Sequence, residues 1–147
     1  MQQTAKPEFR VERSEIYWTT GYDYKFIFEE DRPNGDAQLI LNRLRSNQSL
    51  TKYIGIENLG LNPDDVHAHL NEFYPNGRGL DEQSGEYMRQ GIGTEALELI
   101  INDALEQNAR VMFVYTSKES MIKFLDKNGF TFYGPNDRMA YKLLESR

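Results

Sequence analysis

The run "ARVMFVYTS", Ala109 to Ser117, constrains the fold more than any other stretch of the chain. Its apolar residues are continuous rather than alternating, which is how a strand buried on both faces reads. Helical periods flank it. Before it, Ala96, Leu97, Ile100, Ala104 and Leu105 form an apolar stripe that should stop near Asn108. After it, "KESMIKFLDKNG" brings Met121, Ile122, Phe124 and Leu125 to one side and ends in Asn-Gly, a left-handed helix stop. A helix, a doubly buried strand and a second helix, joined by short connections, imply a parallel crossover within a covered sheet.

The rest of the chain supplies further strands. "IYWTTGYDYKFIF" (16–28) is aromatic and β-branched around a Gly-Tyr-Asp break, as in a two-stranded hairpin, and "DRPNGD" marks a turn. "AQLILNRLR" reads as a strand, and so does "LTKYIGIENLGLN", with Tyr53, Gly55, Glu57, Leu59 and Leu61 on one face. "NPDD" offers an Asn cap, Pro at the first helical position and acids in the first turn, ahead of Val66, Leu70 and Phe73 at helical spacing. This predicts a short helix over 63–74. His67 and His69 would then point about 200° apart, too divergent to share a metal, as ordinary surface or rim residues. A polar loop, "PNGRGLDEQSGE", follows, and "FTFYG" and "RMAYKLLE" close the chain as two strands. The expected organisation is one α/β domain over 1–147, with a polar tail at 1–8 and an inserted helix and loop at 63–86.

Composition removes several classes of chemistry. The chain has no cysteine and two histidines, which excludes thiolate catalysis and thiolate zinc sites, so no metal is expected. No run approaches the ~20 apolar residues that cross a bilayer, and the N-terminus lacks a secretory pattern, so a cytoplasmic protein with no membrane partner is expected. A net charge of −6 opposes counterion-release binding, giving the expectation of no nucleic-acid partner. Arg78, Arg89, Lys118, Lys123 and Lys127 nevertheless lie near the glycine turn or just after its helix, which suits a small anionic ligand.

That turn, "YMRQGIGTEALELI", runs Gly91-Ile92-Gly93 into the helix, where unpaired N–H groups and a partial positive charge favour phosphate. No Lys-Ser/Thr follows, which excludes a Walker loop, and Ala96 stands where a Rossmann fingerprint needs its third glycine. Taken together, "IENLGLNP", "YMRQGIGTEALELI", "ARVMFVYTSKESMIKFLDKNGFTFYG" and "MAYKLLE" resemble the GNAT superfamily of acyl-CoA-dependent N-acyltransferases. The resemblance spans Tyr53 to Leu144. It implies a mixed α/β fold: a central, mostly antiparallel sheet with one splayed parallel strand pair and flanking helices.

The resemblance also implies a site. The backbone over Met88, Arg89, Gln90, Gly91, Ile92, Gly93 and Thr94 would bind the pyrophosphate of acetyl-CoA, and the strand edge at Leu59, Gly60 and Leu61 its pantetheine arm. A neutral amine of a small molecule, peptide or protein would attack the thioester directly. Glu57, expected on the central strand, is the candidate base, and Lys118 a candidate contact to a CoA phosphate. The pattern departs from the family at Met88, where Gln or Arg is usual and the arginine is displaced to Arg89, and at the insertion 63–86, whose "PNGRG" echoes the motif and makes Arg78 a rival to Arg89. It departs again at Leu125, where a tyrosine acid is usual, leaving Tyr87, Tyr115 and Tyr133 as alternatives. No counterpart exists before Tyr53 for the two helices that help form the acceptor site. The inserted helix and loop, with Asp64, Asp65, Glu72, Asp81, Glu82 and Glu86, would replace them and favour a cationic amine. Competing readings are an inactive CoA-binding module and an interaction subunit exposing Trp18, Tyr22 and Tyr24 together. A homodimer through edge strands is compatible with the small sheet.

Overall fold

The computed structural model describes residues 9–28, 34–47, 52–75 and 91–145. Its strands are β1 (Phe9–Glu15), β2 (Gly21–Phe28), β3 (Gly35–Arg43), β4 (Val66–Tyr74), β5 (Ala109–Tyr115), β6 (Thr131–Tyr133) and β7 (Met139–Leu143). Its α-helices are α1 (Ile92–Glu106), between β4 and β5, and α2 (Glu119–Lys127), between β5 and β6. The strands form one sheet in the order β1-β2-β3-β4-β5-β7-β6, antiparallel except for the parallel pair β4–β5. The crossover expected from the buried run is present, with α1 as its helix.

β5 sits where its composition requires. Met112 and Val114 enter a large core with Leu39, Leu70, Leu97, Ile100 and Leu125, under both helices. Val111 and Phe113 enter a second, smaller core with Leu44 and Leu61 on the opposite face. Both pairs are buried, so an alternating sequence would have left one face of β5 unpacked. At the far side of the helix face, the Tyr24 hydroxyl donates to Asp103 of α1 at 2.6 Å, and Arg13 pairs with the same carboxylate at 3.1 Å, tying the β1–β2 hairpin to the helix.

Three sequence expectations need correction. The helix expected over 63–74 is a turn followed by β4. The Asn62 side chain does accept from the Asp64 N–H at 2.9 Å, as a cap would, but Asp65 returns the favour to the Asn62 N–H, and the pair closes a tight turn instead. The strand expected over 50–62 is instead, within the described part, a loop around a 3-10 turn, Ile56–Leu59, ended by Gly60 in the left-handed region at φ 76°. Leu61 N–H bonds Ile56 C=O at 3.0 Å, so the segment folds on itself and covers the second core. Finally, the hairpin's strands are offset from the sequence reading: its turn is Tyr17–Thr20, and Gly21-Tyr22-Asp23 already lies in β2. Among the described residues no α-helix precedes α1, and none is long and apolar enough to cross a membrane.

Candidate active site

The last residue pair joining β4 to β5 is Leu70–Val114. Beyond it the strands part: β4 continues against β3 to Tyr74, while β5 ends at Tyr115 beside β7. The divergence opens a cleft of about 200 Å³, walled by Leu70–Tyr74 on one side and by Val114–Lys118 with Ser120 and Met121 on the other. The register explains the parting. Leu39 faces Leu70 and Gln38 faces Glu72, so Asn71 is an extra residue in β4, a β-bulge that bends the strand. Asn71 therefore has no ladder partner on β3 or on β5.

The glycine turn stands between β4 and β5 in the chain. Gly91 caps α1 at φ 82°, where residues with a side chain are strained, and a Cβ there would meet nothing within 4 Å. The cap residue offers no side chain to the N–H groups of Ile92, Gly93 and Thr94, which leaves them suited to an anion. Ile92 and Gly93 are buried and Thr94 is partly so. Met88, Arg89, Gln90, Arg78 and Tyr87 lie outside the described residues. Lys118 is the cap residue of α2 and lines the cleft, its Nζ 5.1 Å from the ring centroid of Tyr74. Lys123 and Lys127 are exposed along α2 and do not line the cleft.

Glu57, Leu59, Gly60 and Leu61 are not at the cleft. Glu57 is exposed in the 3-10 turn, not held on the central strand. Leu59 and Leu61 pack into the second core and offer no strand edge. Asp64 pairs with Arg45 and Asp65 with Arg110, so these acids brace the turn before β4; Glu72 alone of the described acids in that group lines the cleft. Leu125 is fully buried core. Of the alternative phenols, Tyr115 is 58% exposed and lines the cleft, whereas Tyr133 packs on Phe113 and Tyr141, where burial raises its pKa. Trp18 is exposed but Tyr24 is buried, so the aromatic hairpin does not present its three rings together.

The strand assignment of 66–74 reveals residues that the sequence reading set aside. Two apart on a strand, His67 and His69 share one face, the face opposite the helices. His67 is completely buried, edge-on to Phe113 at 5.7 Å, and neither ring nitrogen has a hydrogen-bond partner among the described residues. Burial and, after it, the neighbouring His69 lower its pKa to about 4, against a contact with the Ala68 backbone that falls short of hydrogen-bond geometry. Burial lowers the pKa of His69 as well. Both imidazoles are neutral near pH 7. His69 stands opposite Phe113, one residue before the last β4–β5 pair. The signal that could have found it was the His-x-His alternation, read with period 2 instead of 3.6.

No protein-family model matches this chain, and no curated protein does. Solved structures share its fold. AtaT complexed with acetyl-methionyl-tRNAfMet superposes with a TM-score of 0.53 at 16% identity, over 84% of this chain and 71% of that one. AtaTR bound with AcCoA gives 0.53 at 17%, over 84% and 70%. Arylalkylamine N-acetyltransferase 2 from Aedes aegypti gives 0.52 at 12%, over 84% and 73%. The fold is of the GNAT acetyltransferase type, a mixed seven-stranded sheet with one parallel pair and two helices. The expectation of no nucleic-acid partner is overturned by the first of these structures, in which the same fold is complexed with a tRNA. Net charge describes a whole chain, whereas a polyanion meets only the local potential of the surface it touches, so −6 excludes nothing here.

Proposed function

We propose that this protein transfers the acetyl group of acetyl-CoA to a primary amine by direct attack in the cleft between β4 and β5. The observation that supports the reading is the parting of β4 and β5 beyond Leu70–Val114, with the glycine-capped α1 as the crossover between the two strands and two neutral histidines on β4. Acetyl-CoA supplies an activated acyl group. Gly91, Ile92, Gly93 and Thr94, with Met88, Arg89 and Gln90, would hold its pyrophosphate through backbone N–H groups, and Lys118 would meet a phosphate at the mouth. The role first given to Leu59, Gly60 and Leu61 passes to the edge of β4 from Asn71 to Tyr74, whose backbone can pair with an amide-bearing arm as a missing strand would.

His69 replaces Glu57 as the base. A neutral imidazole accepts the proton of the attacking amine, and His67, on the same face behind it, adds a second neutral ring that resists charging. Tyr115, at the end of β5, is the hydroxyl placed to return a proton to the departing thiolate in place of Leu125. The acceptor is an amine on a small molecule, peptide, protein or aminoacylated RNA.

Calorimetry with acetyl-CoA should show binding to the native chain and to His69→Ala alike. Thiol release with tryptamine, spermidine, a lysyl peptide and methionyl-tRNA should show turnover by the native chain. With the best acceptor it should fall about 10²- to 10⁴-fold in His69→Ala, the usual contribution of a general base. Its acid limb should lie below pH 6.5, because the His69 pKa is lowered. Absence of acetyl-CoA binding would remove the cofactor; full activity of His69→Ala at every pH would remove the base.

A further inference from the structure

On the open face of the sheet, three polar side chains on three adjacent strands form a continuous line ending at the cleft. Gln38 of β3 donates from Nε2 to Asp23 of β2 at 2.9 Å, and Asn71 of β4 donates from Nδ2 to Gln38 Oε1 at 2.6 Å. The line has a fixed direction. A carboxylate only accepts, so Asp23 obliges Gln38 to turn its NH₂ toward β2. Gln38 then presents its carbonyl to β4, and Asn71 must answer with its NH₂. An amide that points its nitrogen at β3 turns its oxygen away from β3. Asn71 is both the bulge residue and the first residue of β4 beyond the last β5 pair, and it lines the cleft.

The geometry points to Asn71 Oδ1 as the acceptor-binding atom of this site: a hydrogen-bond acceptor that receives an N–H of the incoming primary amine, with Gln38 and Asp23 as positioning residues. This rests on the acetyltransferase reading above and names how that site selects its nucleophile. A primary amine has N–H to spare once one proton is directed to His69. A hydroxyl nucleophile has a single hydrogen and cannot serve both groups, so the arrangement selects amines over alcohols. The amide dipole, unlike a carboxylate, holds the amine without stabilising its unreactive ammonium form.

The test compares Asn71→Ala, Gln38→Leu and Asp23→Asn in the full chain. Loss of one neutral hydrogen bond should raise the acceptor KM about tenfold in Asn71→Ala, and Gln38→Leu should follow because its Asn71 is free to flip. Asp23→Asn, which can donate or accept, should show a smaller rise. The acetyl-CoA KM should stay constant in Gln38→Leu and Asp23→Asn, which leave the β4 edge untouched, and Asn71→Ala combined with Gln38→Leu should cost no more than Asn71→Ala alone. Nuclear magnetic resonance provides a readout independent of turnover. In the acetyl-CoA-loaded His69→Ala chain, titration with methylamine should shift the Asn71 side-chain amide signals, and Gln38→Leu should abolish the shift. Acceptor KM values unchanged in Asn71→Ala, additive effects in the double variant, or unshifted amide signals would each overturn the assignment while leaving the acetyl-CoA reading standing. A chain that fails to bind acetyl-CoA would instead remove the reading beneath it.

Discussion

The two faces of the sheet are built on opposite plans. The helix face is a continuous core running from Tyr24 and Phe26 through Leu39, Leu70 and Met112 to Leu144, sealed by α1 and α2. The open face has a small core, Leu44, Leu61, Val111 and Phe113, roofed by the 3-10 segment and flanked by Tyr133, Met139 and Tyr141. Beside that core lie His67 and His69, and further out the line of Asn71, Gln38 and Asp23. One face supplies the apolar burial that holds the strands in place. The other carries polar groups at positions that the first face fixes. A sheet can keep a buried, unpartnered histidine such as His67 only where stability comes from elsewhere, because buried polar groups without partners subtract from it.

Substitutions can break this contrast. Ile100→Ala removes a fully buried side chain of α1 facing the sheet and should cost about 2–5 kcal/mol by chemical denaturation, the largest effect among these. Any loss of activity should track the unfolded fraction. The open face should announce itself through pH. The His67 pKa is lowered from 6.5 to about 4, so its contribution to stability is fully present above pH 6.5 and is lost progressively as pH falls toward 4. Roughly 3 kcal/mol should disappear across that window, and His67→Phe should flatten the profile there. The smallest effect belongs to Leu59→Ala, in the roof of the small core. Leu59 is only partly buried, so a loss of about 1 kcal/mol in thermal stability is expected, with acetyl-CoA binding unaffected because Leu59 does not line the cleft. A loss of binding in Leu59→Ala would restore the strand-edge role first read from the sequence.

The second half of the fold was legible because its signals were redundant. Stripe, stop and buried run agreed over α1, β5 and α2, and Asn108 at φ 65° and Gly129 at φ 88° end the two helices where the left-handed signals stand. The region 53–74 was misread for a physical reason. The alternation Tyr53, Gly55, Glu57, Leu59, Leu61 is that of a strand, but Gly60 adopts a left-handed conformation and the chain closes on itself. In β4, Leu70 and Phe73 both enter the helix-face core although three residues apart, because Asn71 is extra. A bulged strand thus imitates helical spacing, and the Asn62 turn imitates a helix cap. The proposed site moves with the strand, from Glu57 and Leu59–Leu61, which do not line the cleft, to β4, whose residues Leu70–Tyr74 do. The glycine turn needed no tertiary context, since its features are local.

The bulge bears on how such a sheet can change over generations. Without Asn71, the sequence Leu70-Glu72-Phe73-Tyr74 would alternate inward, outward, inward and outward, and the ladder to β3 would close without a defect. The sheet itself has no use for the residue. A single-codon deletion would leave every core side chain on its present face and would erase the bend at the mouth of the cleft together with the amide that lines it. Asn71 is in this sense a detachable letter: the fold reads the same without it, and only the opening between β4 and β5 is spelled differently.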